Sequence, residues 1–172
     1  MKIINHTISF IDYPSNSEWA IILYFSGCEH KCHLCHNQLL QNPNSGKDID
    51  IEDLYKLIKN QCEKNHTKNV VFSGGDPLYK TNINILRLFL EKYGNEFNIC
   101  IYTGYDIEYV KRNNISNFKY IKCGVYNEKQ KQPSGNFENY FQLASINQNF
   151  YNNKYEQVSK DGRLVYENSV KD

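Results

Sequence analysis

The sequence predicts an α/β fold with a mostly parallel sheet, and three observations carry that prediction. Trp19–Phe25 is near-continuously apolar and β-branched, as a strand buried on both faces of a parallel sheet must be. Between such runs lie stretches whose apolar residues recur at three- and four-residue steps, the spacing of one helical face. Strands alternating with helices in this way imply right-handed crossovers between parallel neighbours. The third observation is position. A cysteine-rich loop and a glycine-rich loop directly follow predicted strands, and α/β folds place their sites at the carboxyl ends of strands.

Taken in order, Lys2–Asp12 mixes Ile3, Ile4, Ile8, Phe10 and Ile11 with polar residues and fits a first strand. Residues 12–17, with Pro14 among small polar residues, form a turn. Trp19–Phe25 then runs into the loop that holds Cys28, Cys32 and Cys35. Residues 42–47 are a linker, and a helix begins at Asp50 with Ile51, Leu54, Leu57, Ile58 and Cys62 on one face. Asn69–Phe72 is a short strand, and Ser73–Pro77 is a loop at its carboxyl end. A second helix carries Ile83, Leu86, Phe89 and Leu90 and ends near Gly94, a C-cap residue. Phe97–Tyr102 is the next strand, followed by a loop from Thr103, a short helix over Asp106–Arg112 and a strand over Tyr120–Tyr126. Cys62 reads as core and Cys100 and Cys123 as packed thiols, because free cysteine is among the most buried residue types. Residues 127–136, rich in Lys, Gln, Pro and Gly, read as a mobile loop. Residues 141–146 read as a further strand, and Asp161-Gly162 between apolar runs as a hairpin turn. With no repeat or second domain visible, residues 1–172 form one domain, its core over about 8–150 and an irregular segment over 151–172.

Composition narrows the function. A chain of 172 residues buries roughly two-thirds of its unfolded surface. Lys and Arg total 20 against 19 Asp and Glu, with no basic run, which excludes a nucleic-acid binder or a membrane-surface protein. Met1–His6 holds no long apolar core, so no signal peptide is indicated. The longest apolar run falls far short of the roughly 20 residues that span a bilayer. The expected location is the cytoplasm. There the six cysteines are not a disulfide framework, and a cysteine cluster is expected to bind metal or to be catalytic.

Cys28, Cys32 and Cys35 are spaced Cys-x3-Cys-x2-Cys, and no fourth cysteine lies nearby. Structural zinc sites draw four ligands as two separated pairs, and no second pair exists here; His30, His33 or His36 would complete one only in a cramped geometry. A thioredoxin-like redox pair at Cys32 and Cys35 leaves Cys28 unexplained. An iron–sulfur cluster wants thiolates, and three of them on a four-iron cluster leave one iron open. A catalytic metal site keeps a position for substrate by the same logic. Of the three readings, the spacing favours the cluster.

The residues around the cysteines sharpen this reading. Ser73-Gly-Gly-Asp-Pro combines glycines that permit close backbone approach with a carboxylate able to accept from an ammonium. Together, Cys28-x3-Cys32-x2-Cys35 and Gly74-Gly75-Asp76 resemble the radical S-adenosylmethionine (SAM) superfamily. Within it, Phe25–Asn37, Ile8–Pro14 and Val71–Leu78 are similar to the activases of glycyl-radical enzymes. Tyr102-Thr-Gly-Tyr-Asp resembles an element of the activators of anaerobic (class III) ribonucleoside-triphosphate reductases, with looser echoes at Gly124–Glu128 and Leu143–Gln148. Two departures, Ala144-Ser145 for Gly-Ser and Cys123 for an acidic residue, fall in the partner-facing half.

The resemblance implies a radical SAM core in the form of a partial (βα) barrel, since a full barrel takes about 250 residues. It implies a [4Fe-4S] cluster on Cys28, Cys32 and Cys35, with SAM chelating the open iron. Gly74, Gly75 and Asp76 would hold the methionyl end. Leu34, Cys35, His36 and Asn37 would lie along the adenosine side, and Thr103 and Tyr105 near the ribose or methionine. The implied reaction is one-electron cleavage of SAM, followed by hydrogen abstraction from a glycine of the reductase catalytic subunit. The implied electron donor is a flavodoxin or ferredoxin. Two rival functions stand beside it: a small radical SAM enzyme acting on a metabolite such as a deazapurine precursor or on a different glycyl-radical enzyme, and a zinc-binding interaction module.

Overall fold

The computed structural model describes residues 1–15 and 18–166. Asn16 and Ser17 of the expected turn and residues 167–172 of the expected irregular segment lie outside the described residues. The elements, in order, are β1 (Lys2–Ser9), β2 (Ala20–Phe25), β3 (Lys47–Asp48), α1 (Ile51–Lys64), β4 (Asn69–Gly74), α2 (Ile83–Tyr93) and β5 (Asn98–Tyr102). They continue with α3 (Ile107–Arg112), β6 (Tyr120–Cys123), β7 (Gly135–Asn136), β8 (Tyr140–Gln142), β9 (Asn149–Asn152) and β10 (Arg163–Val165).

The main sheet has the order β3-β1-β2-β4-β5-β6-β9. Its centre, β2-β4-β5-β6, is parallel, and the flanking strands β1, β3 and β9 pair antiparallel. The parallel strands follow one another without reversal, so right-handed crossovers place all the connecting helices on one face. Ile21, Leu23, Phe25, Val70, Phe72, Ile99 and Ile101 point to that face and meet Leu54, Ile58, Leu86, Phe89 and Leu90 of α1 and α2. Ala20, Ile22, Val71 and Cys100 point the other way, against Tyr13, Phe141, Leu143, Phe150, Leu164 and Tyr166. That second face is covered by a small antiparallel sheet, β10-β8-β7, in place of helices.

Both predicted helix starts are borne out. Asp50 accepts from Asp53 N at 2.9 Å, and Asp106 from Tyr109 N at 2.7 Å, each relieving an orphan donor of the first turn. The Asp161-Gly162 turn also forms, with φ of 50° and 71°, and Lys160 and Arg163 exchange both backbone bonds across it. β10 then pairs with β8 across the sheet.

Other expectations need correction. The first strand stops at Ser9, and Phe10 packs beside Trp19 at 5.2 Å outside the sheet. The strand expected over 120–126 ends at Cys123, and the one expected over 141–146 is only Tyr140–Gln142. Residues 127–136, expected to be a mobile loop, carry local structure. A short 3-10 turn at Glu128–Gln130 is followed by a bridge from Lys131 to Ser145, because the neighbouring chain offers its backbone: Gln132 N donates to Ala144 O and Ile146 N to Gln130 O, both at 3.0 Å. Among the described residues no helix is long and apolar enough to cross a membrane.

Register sets the site. Phe25 pairs with Gly74 and Tyr24 with Ser73, so the cysteine loop after β2 and the Gly-Gly-Asp loop of β4 leave the sheet side by side.

Candidate functional site

The cysteine loop is pinned at its stem and arched above it. Gly27 N donates to Leu40 O at 2.7 Å and Cys28 N to Gln41 O at 3.2 Å, closing the loop's base. Lys31 and Leu34, with φ of 47° and 55°, hold left-handed conformations that reverse the chain between successive cysteines. Cys28, Cys32 and Cys35 are all partly exposed, and all three line one cavity of about 360 Å3. Burial pushes the Cys28 thiol up to about 11, opposed by a hydrogen bond from the His30 backbone. Loading a metal there would release its proton.

The glycines of the neighbouring loop admit this stem. A Cβ on Gly75 would lie 2.5 Å from Leu40 O and 2.6 Å from Gly27 O, and one on Gly74 would overlap the Phe25 backbone. The close backbone approach expected of them is therefore, in the first instance, to the protein's own cysteine loop. Gly75 N donates to Phe25 O and Asp76 N to Gly27 O, both at 2.8 Å. The buried Asn82 amide ties the pair together, donating to Ser26 O and Asp76 O.

Asp76 is 1% exposed, and donors surround its carboxylate. Leu78 N reaches Oδ1 at 2.8 Å, Thr103 Oγ1 reaches both oxygens at 2.9 and 3.0 Å, and Gly104 N reaches Oδ2 at 2.9 Å. His30 Nε2 lies 2.8 Å from Oδ2, and a carboxylate engaged this way only accepts, so Nε2 carries the proton. Four donors occupy the roughly four lone-pair positions of a carboxylate. Asp76 thus ties three loops together, those after β2, β4 and β5.

The cavity collects Cys28, Cys32, Leu34, Cys35, His36, Asn37, Gly74, Gly75, Asp76 and Thr103 of the predicted site. Of these, Leu34 and His36 are exposed. Tyr105 is not among the lining residues. Its ring stacks on Tyr109 at 3.9 Å and meets His30 edge-on at 4.5 Å, and its hydroxyl donates to Glu29 at 2.8 Å. Burial first, and that carboxylate second, push the phenol well above its ordinary value.

A family model described as a 4Fe-4S single cluster domain matches residues 19–151, every residue of this site included. The chain belongs to the 4Fe-4S single cluster domain family. It is similar to proteins named anaerobic ribonucleoside-triphosphate reductase-activating protein. That of Enterobacteria phage T4 is 27% identical over 123 residues, 70% of this chain and 77% of the relative. That of Haemophilus influenzae is 28% identical over 120 residues, 65% of this chain and 77% of the relative. That of Salmonella typhimurium is 30% identical over 102 residues, 57% and 66% respectively.

In this 4Fe-4S single cluster domain the cysteines sort by burial. Cys62, Cys100 and Cys123 are buried, and burial raises all three thiols, to about 11 for Cys62 and about 12 for Cys123. Only the three loop cysteines combine access with a shared cavity.

Sequence reasoning missed several residues of the wall. Lys122 lies near the end of β6 with its ammonium 3.1 Å from Gly124 O and above the Tyr102 ring at 5.9 Å. Burial pulls its pKa down, opposed by Asp76. The alternation of β6 is the signal, since a lysine between Ile121 and Cys123 faces away from the helical core. Gln148 is buried and bridges Gly124 O and Ser145 N, while Asn147 donates to Val125 O and Ser145 Oγ accepts from Asn127 N. The two loosest sequence echoes, Gly124–Glu128 and Leu143–Gln148, therefore hold each other above the cavity.

Proposed function

We propose that this protein is a radical SAM activase that installs a glycyl radical on an anaerobic (class III) ribonucleoside-triphosphate reductase. The observation that carries the reading is the meeting of three accessible cysteines and a Gly-Gly-Asp loop in one cavity at the carboxyl ends of parallel strands. The family supplies the expectation of a single four-iron cluster, and the named relatives supply the reductase as target.

Among the described residues no three His, Cys, Asp or Glu side chains are gathered closely enough to hold a single metal ion, so the fit to the group is one of donor type and shared cavity. Three thiols are the donor set a cluster wants, and their number leaves one iron for SAM. Cys28, Cys32 and Cys35 would hold the cluster. With cluster and SAM bound, the chemistry supplied is one-electron cleavage of the sulfonium and removal of a hydrogen atom from the target glycine. The chain's own part is to hold and orient the reactants and exclude water. Because the Asp76 carboxylate is occupied by four donors, it orients the loop, and the polar backbone of Ser73–Gly75 would face the methionyl amino group. Leu34, His36 and Asn37 would flank the adenosine, Thr103 supports Asp76, and Tyr105 braces the cysteine arch from behind.

The strand order β2-β4-β5-β6, with helices on one face, is compatible with the winding of a barrel, which supports reading the sheet as a partial (βα) radical SAM barrel within a single domain over residues 1–172. Stopping at four parallel strands leaves the mouth beside β9 without further βα units, which suits entry of a glycine-bearing loop of a large protein. The activase would work in the cytoplasm with a flavodoxin or ferredoxin as electron donor.

The test is anaerobic. The protein is reconstituted with iron and sulfide, reduced, and mixed with SAM and a co-encoded class III reductase. A glycyl radical signal by electron paramagnetic resonance (EPR) on the reductase is expected. Its absence, with deoxyadenosine instead formed only when a small metabolite is added, contradicts the choice of substrate.

A further inference from the structure

The arch between Cys28 and Cys32 has little backbone support of its own. Lys31 projects from it in a left-handed conformation, and Glu29 at the surface accepts from the Tyr105 hydroxyl at 2.8 Å. The buried hold on the arch is the His30 side chain, folded inward with 12% of its surface exposed and hydrogen-bonded to an Asp76 that is 1% exposed. Its ring lies edge-on to Tyr105, and a Cβ on Gly104 would fall on the ring itself. The glycine in Tyr102-Thr-Gly-Tyr is thus required at this point by the imidazole. His30 sits midway between Cys28 and Cys32, so the place of its imidazole fixes the course of the arch that carries both thiols.

We propose that His30 is a positioning residue for the cluster. By donating from Nε2 to Asp76 it clamps the cysteine arch onto the loops after β4 and β5, and so fixes where Cys28 and Cys32 stand on either side of it. This rests on the reading that the three loop cysteines carry the cluster. Hydrogen bonds to the sulfurs and solvent exposure are among the factors that set a cluster's reduction potential, and both follow the conformation of the arch. His30 therefore tunes the cluster through the conformation of the arch, without ligating it.

The experiment uses the full chain as parent, His30→Ala, His30→Gln and Gly104→Ala. The midpoint potential of each reconstituted protein is read by EPR-monitored titration. In the metal-free proteins, trypsin cleavage after Lys31 reads the arch directly. In His30→Ala and Gly104→Ala the potential is expected to shift and cleavage after Lys31 to run about tenfold faster, since a hydrogen bond to a charged group is worth about that factor or more. His30→Gln, whose amide can still donate to Asp76, should restore both readouts toward the parent. Parent-like potential and cleavage in His30→Ala and Gly104→Ala overturn the proposal. So does a shift in His30→Gln as large as in His30→Ala. A parent that takes up no four-iron cluster defeats the cluster reading instead, and the proteolysis of the metal-free proteins still decides whether the clamp exists. If His30→Ala does not fold, Gly104→Ala and His30→Gln decide between these outcomes.

Discussion

Asp76 shows how a residue can be found in a sequence and its role still be incomplete. The family resemblance at Gly-Gly-Asp implies a carboxylate that helps hold the methionyl end of SAM. In the structure the carboxylate is buried beneath Leu78 N, Thr103 Oγ1, Gly104 N and His30 Nε2. Asp76→Asn puts an amide donor among four donors, and leaving a buried donor unsatisfied costs about 1–3 kcal/mol. Urea unfolding of the metal-free protein should show a loss of that size, whereas a carboxylate serving only the ligand would leave stability unchanged. Cysteine chemistry separates at the same scale. Cys62, Cys100 and Cys123 are buried and held protonated, so they should resist an alkylating reagent in the native metal-free protein and react only on unfolding. Mass spectrometry of labelled peptides checks this. The partners of His30 are not legible in the sequence because Asp76 and Gly104 lie far from it along the chain, and nothing local marks a contact across that distance.

At the scale of elements, what local chemistry dictates is legible. Asp50 and Asp106 announce helix starts because a carboxylate before an apolar face satisfies first-turn donors. β2 and β4 are apolar through most of their length because helices cover one face and the small sheet the other. Of the small sheet, part of β8 and the turn before β10 are legible, and the pairing of its strands is not. Its strands β7, β8 and β10 are two or three residues long, too short to show a period, and β8 and β10 meet across an intervening β9. The α2 face illustrates the energetics. Leu86 and Phe89 are fully buried against the sheet, with Phe89 edge-on to Phe72 at 5.7 Å. Leu86→Ala should cost about 2–5 kcal/mol in urea unfolding, the range for emptying a packed aliphatic site. A cost below about 1 kcal/mol, outside that range, would mean that α2 does not seat on the strands as described.

The molecule is built on a mixed sheet with a parallel centre whose strand-end loops meet at one end, and its titration follows from what it buries. Cys100, Cys123 and Tyr102 sit in the sheet with their folded-state pKa values raised by burial, Cys123 to about 12 from an ordinary 9.0. On raising the pH the unfolded chain loses these protons first, so it binds fewer than the folded chain and stability falls. The metal-free protein should be at full strength below about pH 9 and weaken progressively from there toward about pH 12, read as a falling urea midpoint. A flat midpoint would contradict the burial of these groups. The central claim concerns the cavity in which two strand-end loops meet. The most direct test is the EPR spectrum of the anaerobically reconstituted, reduced protein with and without SAM. A four-iron cluster signal that shifts when SAM is added is predicted, with no such cluster in Cys28→Ala, Cys32→Ala or Cys35→Ala. A colourless protein carrying zinc, or a cluster whose signal ignores SAM, would contradict it.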